Sequence, residues 1–91
     1  MKGKLTPKVL HLTLHCKWFD EILSGRKKEE YRNHSVYWRN RIVGKHFDEI
    51  RFINGYGKHR PYMRVELKGV TYIFRRIVLH LGKILEVGNV K

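Results

Sequence analysis

The sequence predicts a small α+β domain, mainly β, in which about five strands form a closed or partly open barrel with two short helices. The length of 91 residues suits a single domain, here spanning residues 1–91. Short runs in which apolar and polar residues alternate are typical of half-buried strands. Glycine-containing turns separate these runs, and the two helical patterns come early, as expected of a barrel with a helix packed at one end.

The first third of the chain predicts a strand, a helix and an extended segment, in that order. Residues 9–15 alternate with period two, which indicates a strand. Residues 16–24 place three apolar side chains at i, i+3 and i+4, the spacing of one buried helical stripe. This stripe consists of Phe19, Ile22 and Leu23. Gly25 is placed to end the helix as a left-handed C-cap, and residues 27–32 are expected to leave it as an extended segment.

The remaining elements are a second short helix and the later strands. Ser35 is a candidate N-cap for this helix, and Gly44 is expected to end it. Alternating or β-branched and aromatic segments then predict the strands. These segments are residues 47–53, 62–70 and 71–87, the last containing one or two strands. Residues 54–57 predict a turn with two glycines at positive φ, and Gly82 predicts a further turn or a bulge.

The charge of the chain indicates an anionic partner. Twenty Lys and Arg residues against eight Asp and Glu give a net charge of +12, and such a surface attracts polyanions, of which nucleic acid is the most abundant. No apolar run approaches the length of roughly 20 residues that a membrane-spanning helix needs, and the amino terminus lacks a signal-peptide pattern. The lone Cys16 cannot form an internal disulfide. We therefore expect a cytoplasmic protein with no membrane partner.

The densest polar pattern is Gly25-x-Lys27-x-x-Glu30-x-Arg32, directly after the first predicted helix. Glu30 and Arg32 are two residues apart and share one face of an extended segment, whereas Lys27 joins them only if the backbone bends after the glycine. Arg32 has a planar guanidinium that can bind a phosphate or the edge of a nucleobase. Glu30 can accept a hydrogen bond from the amino group of a nucleobase, and Lys27 can supply a point charge or accept a proton. The alternative to a binding site is a strand whose charged side chains face solvent and have no function.

Several further residues are candidates for the same site. Trp18, which is off the apolar stripe, and Tyr56, which is in a predicted turn, are expected to stack on unpaired bases. Arg64 and Glu66 share the polar face of the strand over residues 62–70, and this face can point into a cleft where Glu66 meets the glycine motif. The histidine spacing does not chelate a metal ion, and no nucleotide-binding fingerprint is present, so we expect no metal and no cofactor.

The helix, the glycine motif and the strand after it resemble the ASCH domain of the PUA-like β-barrel superfamily, over residues from about 10 to 87. The resemblance implies a small PUA-like barrel whose cleft binds RNA or modified nucleosides. Lys27, Glu30 and Arg32 would line this cleft, and Glu66 matches by strand position an acidic residue of some members. One branch is similar to amidohydrolases that act on N4-acetylcytidine, but those enzymes have a threonine where this chain has Glu30.

Three functions follow as expectations. The first is an RNA- or nucleoside-binding module that uses Lys27, Glu30 and Arg32 with Trp18, Tyr56 and Arg64. The second is a hydrolase of an acylated nucleoside or of RNA in the same cleft, with Lys27, Glu30 and Glu66 as catalytic groups. The third is a protein-interaction module whose charge serves only solubility. The sequence leaves the ligand and the oligomeric state open.

Overall fold

The computed structural model describes residues 6–56 and 58–90 of the chain. Five strands and two helices lie in these ranges, which confirms the predicted α+β class with its excess of strand. In chain order the elements are β1 (Val9–Leu14), α1 (Cys16–Leu23), β2 (Glu29–Asn33), α2 (Val36–Ile42), β3 (Glu49–Asn54), β4 (Tyr62–Ile73) and β5 (Arg76–Gly88). Both helices lie in the first half of the chain, as predicted.

The five strands form one curled sheet in the order β1-β3-β4-β5-β2, which is a half-barrel. β1 and β3 are parallel, and the other neighbours are antiparallel. A parallel pair needs a long crossover connection, and the segment that carries α1, β2 and α2 provides it. β1 and β2 are the two edges of the sheet. The barrel is therefore partly open, and the opening lies between these two strands.

The core fills the concave side of the sheet and is closed by the helices. Phe19 and Ile22 of α1 are buried and Leu23 is partly buried against the core, so the predicted stripe is confirmed. The strands contribute alternate apolar residues, as a half-buried sheet requires. The buried strand residues are Leu10, Leu12, Leu14, Ile50, Phe52, Met63, Val65, Ile77, Val78, Leu79 and Leu81.

Local signals at the helix ends are also confirmed. Gly25 follows α1 at φ +86°, a conformation that costs a side-chain-bearing residue about 1–2 kcal/mol. The Ser35 side chain caps α2 by accepting from the Trp38 N–H at 3.4 Å. His15 caps α1 by accepting from the Lys17 N–H at 3.3 Å, which the sequence analysis did not anticipate.

β4 is longer than predicted, and the turn that joins it to β5 lies elsewhere. β4 continues to Ile73 and pairs with β5 up to Ile73 opposite Arg76, so that the turn falls between these two residues. Gly82 lies inside β5, where it and Lys83 face Glu66 alone across the ladder. A turn or a bulge was predicted at Gly82, and the structure shows a bulge. In the predicted glycine turn, Gly55 has φ +75°, and Gly57 lies outside the described residues.

Candidate functional site

The glycine motif forms an ion-pair cluster around a buried carboxylate. The Glu30 side chain is 7% exposed, with Lys27 Nζ 3.4 Å from its Oε1 and Arg32 Nη1 2.6 Å from its Oε2. The backbone bends at Gly25, which brings Lys27 to the same side as the other two side chains. Alternation along β2 points Glu30 and Arg32 towards the concave side. The motif is thus a compact cluster and not a row of solvated charges.

Two arginines cover the free edge of β1 where it faces β2. Arg32 Nη2 donates to the Thr13 carbonyl oxygen at 3.2 Å, and Arg41 Nη2 donates to the His11 carbonyl oxygen at 3.2 Å. Carbonyls on an edge strand are left unpaired by the sheet, so these side chains satisfy groups that would otherwise need another strand or water. We call the space between the two edge strands the seam cleft, because the arginines join its sides without closing it.

Aromatic rings alternate with cationic groups along the seam cleft. Lys27 Nζ lies 5.2 Å from the Trp18 ring centre and 4.9 Å from that of Tyr31. The guanidinium of Arg32 lies 5.2 Å from the Trp38 ring centre. Arg41 repeats the arrangement at 5.1 Å from Trp38 and 5.7 Å from Tyr37, and each distance is within the range of cation–π attraction. The contacts fix the cations without covering the outer ring faces, since Trp18, Tyr31 and Tyr37 stay 40–61% exposed.

Two cavities occupy the seam cleft and a third adjoins them at the end of β1, and Thr13 lines all three. The first, about 540 Å³, lies between β1, β2 and α2. The second lies at the glycine motif and Trp18, and the third lies between Cys16 and Tyr56. The charged residues that line the cavities are four cations and one carboxylate: Lys27, Arg32, Arg41, Arg60 and Glu30. The cleft is therefore electropositive.

Two predicted site residues lie elsewhere. Glu66 is exposed on the outer face of β4, and its Oε1 accepts from the Lys83 N–H at 3.3 Å. Val65 and Leu67 point to the core, so the alternation of the strand turns Glu66 away from the seam cleft and from Glu30. Arg64 shares that outer face. The structure thus brings Lys27, Glu30, Arg32, Trp18 and Tyr56 to the cleft, and it does not bring Glu66 or Arg64 there.

Arg64 belongs to an ion-pair ladder across the outer face of β3, β4 and β5. It lies 2.5 Å from Glu49 Oε1 through Nη1 and 2.7 Å from Glu86 Oε1 through Nε. Tyr62 donates to the second Glu86 oxygen at 2.9 Å. The hydrogen bonds from Arg64 and then from Tyr62 lower the pKa of Glu86 below its usual 4.5. With two carboxylates as partners, Arg64 has little capacity left for a phosphate.

The ladder predicts a pH dependence for the stability of the chain. Because the pKa of Glu86 is lower in the folded than in the unfolded state, its contribution is complete above about pH 4.5 and is lost as the pH falls through the folded value. Replacing Glu86 by glutamine should therefore lower stability at pH 7 and have a smaller effect at about pH 3. Urea denaturation of both proteins at the two pH values measures this. An equal difference at both would contradict the ladder.

The predicted site residues did not include Tyr37, Trp38 and Arg41 of α2 or Arg60, which line the cleft. In the structure Trp38 is partly buried against the core, yet its ring also lines the first cavity. Tyr37 is 61% exposed beside it. The interleaving of aromatic and basic residues along α2 was the available signal.

A second polar chain crosses the outer face of β2, β5 and β4. Tyr31 donates to Glu29 at 2.7 Å, Glu29 lies 3.3 Å from His80 Nδ1, and His80 Nε2 lies 2.6 Å from Thr71 Oγ1. A hydroxyl, an imidazole and a carboxylate in series resemble a nucleophile with its base. Tyr31 lines two cavities of the seam cleft, but Thr71 and His80 line none, so a substrate bound in the cleft would not meet the hydroxyl–imidazole pair. We assign it a cross-strand structural role.

Residues 6–56 and 58–90 contain no group of three or more His, Cys, Asp or Glu side chains that could hold a metal ion. Neither of the described helices has the length and apolarity needed to cross a membrane.

Comparison with family models, with curated proteins and with solved structures finds no match to this chain. Membership of the ASCH family therefore stays a prediction from the glycine motif.

Proposed function

We propose that the chain binds single-stranded RNA, or a nucleoside of RNA, in the seam cleft. The observation that carries this proposal is the alternation of exposed aromatic rings with cations along one electropositive groove. Aromatic faces stack on unpaired bases, and cations follow the phosphate backbone, so the combination is typical of single-strand binding. An RNA ligand also suits the net charge of +12.

The residues divide between stacking and charge. Trp18, Tyr37 and Tyr56 are 45%, 61% and 81% exposed, so their rings can receive bases without a rearrangement of the core. Arg41 is the best candidate for a phosphate contact because it lines the first cavity at the end of α2. Glu30 holds one cation on each oxygen, and this favours a role in positioning Lys27 and Arg32 over direct contact with a base.

The hydrolase alternative has less support. It requires Lys27 with Glu30 or Glu66 as acid and base, and Glu66 lies on the other face of the sheet. Both Glu30 oxygens already hold cations, so Glu30 presents no uncommitted oxygen to a substrate or a water. We therefore favour RNA binding over hydrolysis.

Fluorescence anisotropy with a labelled single-stranded oligoribonucleotide, measured over a range of salt concentrations, tests the proposal. We expect binding that weakens steeply with salt and is stronger than binding to the same sequence as a duplex. Arg41→Ala should weaken it and make the slope of log affinity against log salt shallower by about 0.7, the value for one lost phosphate contact on a single strand. Arg39→Ala is the matched control, since Arg39 is exposed on the same helix and lines none of the three cavities of the cleft.

Three outcomes would contradict the proposal. Equal losses in the two arginine variants would assign binding to the net charge and not to the cleft. Absence of binding would leave the protein-interaction function. Conversion of N4-acetylcytidine or cleavage of the RNA, followed by mass spectrometry and lost in Lys27→Ala, would establish the hydrolase instead.

A further inference from the structure

The far half of β4 has a neighbour on one side only. β3 pairs with β4 from Tyr62 to Glu66, and the Leu67 N–H then donates to the Asp48 carbonyl at 3.1 Å. On its other side β4 pairs with β5 as far as Ile73. In the described part of the chain, no backbone hydrogen bond reaches residues 68–73 from the side away from β5. We call this segment the open edge, and such a row of unpaired backbone groups is a template for another strand.

The composition of the open edge favours pairing. Lys68 begins the open edge, and residues 69–74 after it read Gly-Val-Thr-Tyr-Ile-Phe, with no charge and no proline. Natural edge strands are normally protected by charges, prolines or bulges, and this run has neither of the first two. Its end is solvent-exposed, with Tyr72 at 44%, Ile73 at 48% and Phe74 at 85%. The strand is therefore suited to continue the sheet into another chain.

We propose that the open edge pairs antiparallel with the open edge of a second copy of this chain, about a two-fold axis at Thr71. The sequence is self-complementary in this register. Val70 lies opposite Tyr72 of the second copy, and Gly69 lies opposite its Ile73, so that a large side chain covers a glycine. Threonine faces threonine at the axis. Pairs of β-branched and aromatic residues and pairs of threonines are among the favourable cross-strand combinations. One such contact closes a two-fold dimer.

At each end of the contact Lys68 of one copy comes next to Arg75 of the other, and this repulsion weakens the pairing of a chain with a net charge of +12. Lys68 of one copy lies opposite Phe74 of the other, and the two Lys68 residues are separated along the strands by about 20 Å, well beyond the Debye length of about 8 Å at physiological salt. The short contact buries little surface. Interfaces below about 1,200 Å² are typical of weak or transient association, so we expect monomer and dimer in equilibrium. The dimer does not depend on the proposed RNA binding.

Sedimentation velocity of the nucleic-acid-free chain over a range of concentrations tests the proposal. The wild type should form dimers as the concentration rises. Thr71→Lys and Thr71→Glu should each raise the dimer dissociation constant at least about tenfold, because like charges then face each other at the axis. An equal mixture of the two variants should regain dimers. Val36→Lys is the control: Val36 is 69% exposed on α2 and is not part of the open edge, so this variant should dimerise like the wild type.

Thr71 is exposed but bonds to His80, so circular dichroism and thermal unfolding must show that its variants fold. Amide hydrogen exchange of the wild type is the independent measurement, and protection of residues 68–73 should increase with concentration. A wild type that stays monomeric up to its solubility limit would overturn the proposal. So would dimers that persist in both Thr71 variants, a mixture that remains monomeric, or filaments instead of dimers.

Discussion

Replacing Glu30 by glutamine is expected to lower the free energy of unfolding by about 3 kcal/mol, the low end of the range for breaking a buried ion pair. The amide keeps the size of the side chain but removes the charge that two cations share. The side chains of Lys27 and Arg32 are only 16% and 17% exposed, so water cannot replace the lost carboxylate. Urea denaturation at neutral pH measures the change.

Glu21→Gln is the matched control for this measurement. Glu21 also holds an arginine, with Arg26 Nε at 3.2 Å, but this pair is on the surface, where ion pairs contribute about 0–1 kcal/mol. A second comparison replaces all three members of the cluster by apolar residues of similar size, Lys27→Met, Glu30→Leu and Arg32→Met, and should recover part of the lost stability. If the Glu30 and Glu21 variants lose equal stability, the carboxylate is not buried between cations as described.

Replacing Trp18 by alanine is expected to weaken binding of a single-stranded oligoribonucleotide by roughly 5- to 150-fold, the effect of one lost stacking contact of about 1–3 kcal/mol. The side chain is 45% exposed and lies at the mouth of the cavity of the glycine motif. Its removal should therefore leave the core intact. Anisotropy titration at one fixed salt concentration gives the ratio of affinities.

The control for Trp18→Ala is Phe74→Ala, which removes an aromatic side chain that is 85% exposed at the β4–β5 turn and lines none of the three cavities of the cleft. The two tryptophans of the chain, Trp18 and Trp38, both line the cleft, so a stacked base should also quench the intrinsic fluorescence. Equal affinity losses in the two variants, or binding without a change in fluorescence, would mean that RNA does not stack in the seam cleft.

The glycine motif illustrates what could be predicted from sequence. Its members are three and two residues apart, so local geometry fixes most of their arrangement once the backbone bends at Gly25. The prediction that Lys27 joins Glu30 and Arg32 after such a bend is confirmed. What could not be predicted is the depth of burial of Glu30, because that depends on the pairing of β2 with β5, which places Leu79 opposite Glu30.

Glu66 shows the opposite case. The alternation of β4 correctly placed it on a polar face, but a strand in a curled sheet has two sides, and the pattern alone does not say which of them faces a cleft. Three register irregularities between β4 and β5 surround this position. These irregularities affect the direction in which the Glu66 side chain points. They arise from the pairing of two strands, so the sequence of one strand does not reveal them.

Period-two and helical spacing, together with Gly25, Ser35 and Gly44, determined from sequence alone that this chain has these strands and helices in this order. These signals are local, since they follow from backbone geometry within a few residues. Only the tertiary structure decided that β1 and β2 are edge strands that face each other and that Arg32 and Arg41 bind across the space between them. It also decided that β4 extends beyond the end of β3 and so leaves an open edge. Each of these depends on strand pairings between residues far apart in sequence, whose register is set by the packing of the whole core.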